Sequence, residues 1–283
     1  MYWERMTIDE YAEIEQRNGA KLHMVAGIWW REVRPFFYRP LFPFTRIAPQ
    51  STKLPSDSVL VGYQHLVPDP AYSNSYMNFM VFDEIDRYTI NTLKSNYRNN
   101  IRKGRRNFSI KQVVDLQEFI NSGFKVYKSF YERTHYWWKA ERREYNGFAE
   151  WAQSLFGFPK ILILGAYREG NLSAVAVSYL VENIIIFPTY FADTESLKAR
   201  VTDLMYHCVR EMASQCQDAT LISLGRLLRE EGLDKVKLSR GAKVLAEPAY
   251  YNINPALLPL LKHLRRKDYS KLVGLSGEEL KIY

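Results

Sequence analysis

A chain of 283 residues is long enough to bury a large core, as one large domain or two smaller ones. With 47% hydrophobic and 25% charged residues it has the balance of a soluble globular protein, which argues against wholesale disorder. The formal charge of +8 is local: Lys94, Arg98, Arg102, Lys103, Arg105, Arg106 and Lys111 fall within residues 94–111 without one carboxylate, and the rest of the chain is close to neutral. An anionic partner is therefore expected at that stretch.

In chain order, a short helix is predicted over 7–18, and "KLHMVAGIWWREV" reads as strand, turn at Gly27, strand. Residues 34–58 carry five prolines and are expected to form an aromatic-rich loop without regular structure. Strand-like runs follow at 58–67 and 75–82. A helix over 87–106 sets Leu93, Tyr97 and Ile101 on an apolar stripe, with Lys94, Arg98, Arg102 and Arg105/Arg106 on a cationic stripe beside it. Gly104 should loosen its last turn before the strand "FSIKQVV". Asp115 is a helix cap with Glu118 three residues on, opening a helix toward Tyr131. A further helix is expected near 148–156.

The second half has a clear rhythm. "KILILGAYREGNLSAVAVSYLVENIIIFPTYFA" contains three apolar runs separated by "REGN" and "VEN", an antiparallel meander. A long helix follows, with Leu197, Val201, Leu204, Met205, Cys208, Val209 and Met212 on one face. Then come a strand at 219–225, a helix over 228–242, a strand at 243–254 and basic helical segments.

Cys208 and Cys216 lie on one helix roughly 12 Å apart by helical rise, too far for a disulfide, and no metal-ligand spacing is present. The N-terminus lacks the apolar core of a signal peptide, and Glu182, Asn183 and Pro188 interrupt the longest apolar run. No membrane span, no metal and a cytoplasmic location are the expectations.

Meander, long helix, strand, helix, strand is the element order of the acyl-CoA N-acyltransferase, or GNAT, fold. "LISLGR" followed by "EGLDKVKLSRGAKVL" resembles the C-terminal signature of its FemAB-like and cellulose-biosynthesis-associated branch, at Gly225, Arg226, Gly232, Lys237, Gly241 and Ala242. "YRNNIRKGRR" resembles that branch's upstream basic helix, of the form RxNIRK. The resemblance covers residues 90 to 255. It implies an α+β (mixed α/β) GNAT-like fold with a central, mostly antiparallel sheet flanked by helices. The expected organisation is a smaller or degenerate N-terminal lobe over 1–86, an acyltransferase domain over 87–260 and a basic helical tail over 261–283.

The resemblance also implies transfer of an acyl group from a thioester donor, acyl-CoA or acyl-carrier protein, to a small-molecule or peptide amine. In such folds the pantetheine arm lies between two splayed strands and the pyrophosphate meets the N-terminus of the long helix, where backbone N–H groups are free. Here that segment is Lys198, Ala199, Arg200 and Val201, and the usual glycines of the phosphate loop are absent. Two cations in a first turn oppose the macrodipole, which a bound phosphate would relieve; Glu195 and Asp203 could equally balance them. The missing glycines suit the branch members that take an aminoacyl group from transfer RNA.

Tyr190 and Asp193 end the third meander strand, where a phenol can protonate a leaving thiolate and a carboxylate can act as base. Alternation puts only one of Tyr250 and Tyr251 on the cleft face, and Tyr251 is the candidate. Arg226 and Lys237, from the signature, are candidates for an anionic group. His135, beside Tyr136, Trp137 and Trp138, either lines an acceptor pocket or belongs to an aromatic anchor. Arg98, Arg102, Lys103, Arg105 and Arg106 are expected to bind an acidic substrate, an acyl-carrier protein or tRNA. A nucleic-acid-binding module and a non-catalytic GNAT-fold protein are the competing readings.

Overall fold

A computed structural model describes residues 2–135, 139–229 and 231–280. It opens with a two-residue strand β1 (Arg5–Met6) and helix α1 (Ile8–Arg17). Strands β2 (Leu22–Val25) and β3 (Ile28–Arg34) form a hairpin. Its turn residues, Ala26 and Gly27, both have positive φ, the geometry that matches strand twist.

The proline-rich stretch is not wholly irregular. Phe37–Pro40 forms β4, antiparallel to β3 and parallel to β5 (Gly62–Leu66). Pro35 lies before this strand and Pro40 ends it, positions where a missing N–H does least harm, and the buried Phe37 and Tyr38 anchor it. Strand β6 (Ser75–Phe82) follows. The basic helix α2 (Ser95–Asn107) starts eight residues later than expected, after two short 3-10 turns, and β7 (Ser109–Gln112) succeeds it.

Asp115 caps as the sequence indicates, its carboxylate accepting the Glu118 N–H at 2.8 Å. The helix runs as α3 (Leu116–Glu118), a π-turn over Phe119–Gly123, and α4 (Phe124–Thr134), with α5 (Tyr145–Phe156) after it. The meander is β8 (Leu162–Arg168), β9 (Asn171–Val181) and β10 (Ile184–Ala192). The long helix proves to be two pieces, α6 (Thr194–Lys198) and α7 (Val201–Ala213), broken at Arg200, whose φ is +72°. Then come β11 (Leu221–Arg226), α8 (Glu231–Ser239), β12 (Lys243–Ile253), α9 (Leu258–Leu264), α10 (Arg266–Val273) and α11 (Gly277–Leu280).

The chain divides into two compact units, and the division crosses the sequence several times. One unit holds residues up to Thr7, 81–225 and 235–243; the other holds 8–80, 226–234 and from 244 onward. In the first, β7, β8, β9 and β10 are successive antiparallel neighbours, β11 lies parallel to β10, and β1 lies parallel to the end of β9. Nearly every residue of β9 is buried, so both its faces are covered. Phe191 packs on Tyr127 of α4 and Phe148 of α5, while its neighbour Tyr190 meets Tyr206 of α7. Strand alternation thus puts α4 and α5 on one face and α7 on the other. Phe119, Phe148 and Phe191, all below 2% exposed, contribute on the order of 2–3 kcal/mol each by burial.

In the second unit the strand order is β2-β3-β4-β5-β12-β6. Helix α1 is tied to β3 by Arg31–Glu15 (2.8 Å) and by the Trp29 indole donating to Asp9 (2.6 Å). Among the described residues, clusters of Trp30, Tyr38 and Ile47 and of Phe37, Ile253 and Leu272, the last from α10, lie in its core. The fold class agrees with the expectation, mixed α/β with mostly antiparallel sheet flanked by helices.

Candidate active site

The sheet of the first unit opens between β10 and β11. The parallel ladder between β10 and β11 covers Ile184–Ile186 opposite Leu221–Ser223 and stops there, while β10 runs on to Ala192. A register irregularity between Ile186 and Thr189, at Phe187–Pro188, bends β10 at that point. Beyond it, among the described residues, the strand pairs only with β9. Asp193 N–H donates to Ser173 O at 3.0 Å, so by the alternation of an antiparallel ladder Phe191 also faces β9, and the N–H of Tyr190 faces the open edge. That N–H can polarise a carbonyl laid along the edge. The neighbouring carbonyl of Ala192 accepts from both terminal nitrogens of Arg133 at 3.2 Å, which closes the far end.

The Tyr190 side chain is less free than its backbone. Its hydroxyl donates to Thr202 Oγ1 in the first turn of α7 at 2.9 Å, and burial pushes its pKa above the ordinary phenol range. Asp193 is the N-cap of α6, accepting the Ser196 N–H at 2.7 Å and the Ser196 hydroxyl at 2.8 Å. Its carboxylate is thereby committed to the helix end.

The break at Arg200 changes the dipole argument. Lys198 sits in the last turn of α6, the favourable end for a cation, and pairs with Glu195 at 2.9 Å. It does not occupy the first turn of the long helix. Arg200 is the N-cap of α7 and its side chain does not cap the helix, so among the described residues the first-turn amides from Val201 onward have no side-chain acceptor. Ala199 ends α6.

Lys237 donates to the Leu224 carbonyl at 2.8 Å and staples α8 to β11. Its own carbonyl accepts from Arg240 and Ala242, and Gly241 N–H donates to Leu238 O, a Schellman ending in which Gly241 supplies φ +89°. A Cβ at Gly241 would lie 3.2 Å from Arg210 Nη1, which donates to the Arg240 carbonyl at 3.0 Å. The Lys-Gly-Ala part of the signature therefore has a structural account.

Helix α2 seats itself on α7 through Ile101 and Gly104. A Cβ at Gly104 would come within 2.8 Å of Leu204 Cβ and 3.0 Å of the Arg200 carbonyl. Arg105 reaches Glu211 at 3.4 Å and lies 2.8 Å from His207 Nε2. A guanidinium can only donate, so Nε2 is the acceptor, and the proton on Nδ1 donates to the Tyr88 hydroxyl at 2.8 Å. Burial, then Arg105 and Arg210, hold the His207 pKa below 6.5 against Glu211. The sequence marks His207 only as a lone mid-helix histidine; its partners come from two other segments. Arg102, Lys103 and Arg106 are exposed and Arg98 is half-buried, and among the described residues none of these four has a carboxylate within 4 Å.

Tyr251 and Arg226 belong to the second unit. The Tyr251 hydroxyl interacts with Tyr269, and burial followed by that contact pushes its pKa to about 12. Arg226 donates to the Lys271 carbonyl at 3.1 Å. His135 is exposed at the C-cap of α4 with φ +49°; Tyr136, Trp137 and Trp138 lie outside the described residues. Both cysteines are free, and burial pushes the Cys208 thiol to about 11. Among the described residues no helix is long and apolar enough to cross a membrane, and no group of three or more His, Cys, Asp or Glu could hold a metal.

No family model matches the chain, and no curated protein matches it. Solved structures do. FemX is 9% identical over 90% of this chain and 93% of its own, with a TM-score of 0.60. The C-terminal domain of a putative lysylphosphatidylglycerol synthetase from Agrobacterium fabrum is 8% identical over 94% and 92%, at 0.61. L-PGS from Bacillus licheniformis is 14% identical over 93% and 92%, at 0.57. At these identities the likeness establishes the fold: GNAT-like, of the FemX type.

Proposed function

We propose that this protein transfers an acyl group directly to an amine. The observation that carries the reading is the open edge of β10, which presents the Tyr190 N–H, while the Tyr190 hydroxyl reaches Thr202 in the uncapped first turn of α7 at 2.9 Å. An acyl donor laid along that edge would place its carbonyl at the Tyr190 N–H, and a phosphate of the donor at the amides from Val201 onward, beside Arg200. The acceptor attacks as a neutral amine, the C–N bond forms as the bond to the leaving group breaks, and the amine's proton leaves to solvent or the departing group. Positioning supplies much of the rate. Asp193 and Tyr190 act here through the geometry of the strand end more than as base and acid.

The donor is a thioester of CoA or carrier protein, or an aminoacyl-tRNA. The exposed cations Arg102, Lys103 and Arg106 of α2, without a carboxylate within 4 Å among the described residues, favour the aminoacyl-tRNA. Within the wider superfamily we place the chain with the FemAB-like, cellulose-biosynthesis-associated branch on the residues from Gly225 to Ala242. The test is a transfer assay with a panel of acyl-CoA thioesters and aminoacyl-tRNAs against an amine panel, paired with mass spectrometry of ligand that co-purifies. Product from one donor class is expected. Absence of product and of co-purified donor across both classes sinks the reading.

A further inference from the structure

Arginines of the second unit gather where no acid answers them. Arg39 Nε donates to Gln64 Oε1 at 3.1 Å, and Gln64 Nε2 donates to the Leu272 carbonyl at 2.7 Å. Arg226 Nη2 donates to the Lys271 carbonyl at 3.1 Å, and Arg229 Nη1 to Ser270 Oγ at 2.8 Å. Three guanidiniums, from β4, the end of β11 and the segment after it, are thus tied to the last turn of α10.

None has an ion-pair partner within 4 Å among the described residues. Arg229 Nη2 is buried without any acceptor. Glu279 is the carboxylate that feels Arg229, but it is engaged by the Ser276 N–H at 2.7 Å. Burial, then the repulsion of Arg226 and exposed Arg34, lower the pKa of Arg39; burial, then Arg229, lower that of Arg226 to about 10.

The bland account is that cations cap the C-terminus of α10. Its magnitude falls short: a helix C-terminus carries roughly half a negative charge, against three to four positive ones. Partly dehydrated like charges held together cost free energy unless an anion sits among them. One carboxylate would leave most of the excess. A phosphoryl group brings about two charges and several acceptor oxygens to forked donors.

We propose that Arg39, Arg226 and Arg229 form a binding site for a phosphoryl dianion, as in a phosphate monoester or a diphosphate. The site lies on α10 of the second unit and does not depend on the transferase reading. A phosphorylated nucleotide and a phospholipid headgroup carry the same chemistry.

Inorganic pyrophosphate and inorganic phosphate, titrated into the full chain at low chloride and followed by calorimetry and thermal shift, test it. A saturable rise in Tm is expected, with affinity at least about tenfold weaker in Arg39→Gln and Arg226→Gln, the equivalent of 1.4 kcal/mol. The Arg98/Arg102/Arg106→Ala variant should bind pyrophosphate like the wild type. Adenosine monophosphate and glycerol 3-phosphate then separate the two sources, the tighter one naming the ligand class. The site is refuted if acetate at equal ionic strength gives the same shift, or if both glutamine variants keep it. Should those variants fail to fold, 31P line broadening of pyrophosphate decides: it is expected with the wild type and the α2 variant, and its absence or its loss in the α2 variant overturns the site.

Discussion

In the first unit, Arg240 lies 3.0 Å from the buried Asp203, and Arg210 is stacked 3.8 Å from the ring of Tyr88 and 4.3 Å from that of Phe82. In the second, Arg39, Arg226 and Arg229 have carbonyl, amide and hydroxyl partners but no carboxylate. In the first unit the buried Asp203 has its counter-ion in Arg240, and Arg210 lies between two aromatic faces; in the second, among the described residues, the three guanidiniums are held by neutral partners alone. The lesson concerns how to read a cation: exposed ones on α2 cost little whether or not a ligand comes, whereas dehydrated, unanswered ones imply something from outside.

Arg240→Ala tests the self-neutralised side most severely. It strands the Asp203 carboxylate in the core, and a loss of about 3 kcal/mol or more is expected in urea denaturation. A much smaller loss would mean that Asp203, whose pKa burial raises, is already protonated and that the two units differ less than described. Gly104→Ala should cost about 1–3 kcal/mol by overpacking against α7, outweighing the roughly 1 kcal/mol of helix propensity it gains. Stabilisation would show that α2 does not sit so close.

Lys237→Met removes the donor from the Leu224 carbonyl, and about 1 kcal/mol of stability should go with it. Replacing Arg98, Arg102 and Arg106 with alanine should change stability by less than about 0.5 kcal/mol. The same variant should lower the slope of log K against log salt for single-stranded RNA by about 2, at roughly 0.7 per phosphate contact. An unchanged slope would leave the exposed cations as mere solvated surface.

His207 adds a pH test of the α2 seat. Its folded pKa lies below 6.5, so the native state binds fewer protons than the unfolded chain. The stability it supports is fully present above 6.5 and is lost as pH falls from there toward the folded value. Tyr88, Arg105, Arg210 and Glu211 face the ring, and protonation would set a second donor against Arg105. A denaturation midpoint that declines below pH 6.5 in the wild type, and stays flatter in His207→Gln, is the expected pair of results.

Much of this was legible beforehand. The meander, the Asp115 cap and the β2–β3 hairpin follow from periodicity and turn residues that lie next to one another in the chain. Strand β4 was hidden because its prolines flank it and short strands owe their existence to neighbours. The break before α7 was hidden because Arg200 adopts φ +72° with no glycine to signal it. At the site, the signature pointed to Arg226 and Lys237, yet Lys237 proved to be a staple. Arg226 was a candidate for an anion from the signature, but its company with Arg39 and Arg229 was not legible, since the group unites residues up to 190 positions apart.

The β1 pairing carries a consequence for biosynthesis. Arg5 and Met6 find their partners at Leu180 and Val181, and the Trp3 indole donates to Ser178 at 3.0 Å inside the core. During translation Trp3, Arg5 and Met6 emerge about 175 residues before the strand they join. At about 5–20 residues per second they wait roughly ten seconds or more, a segment with core side chains that a chaperone would be well placed to shield.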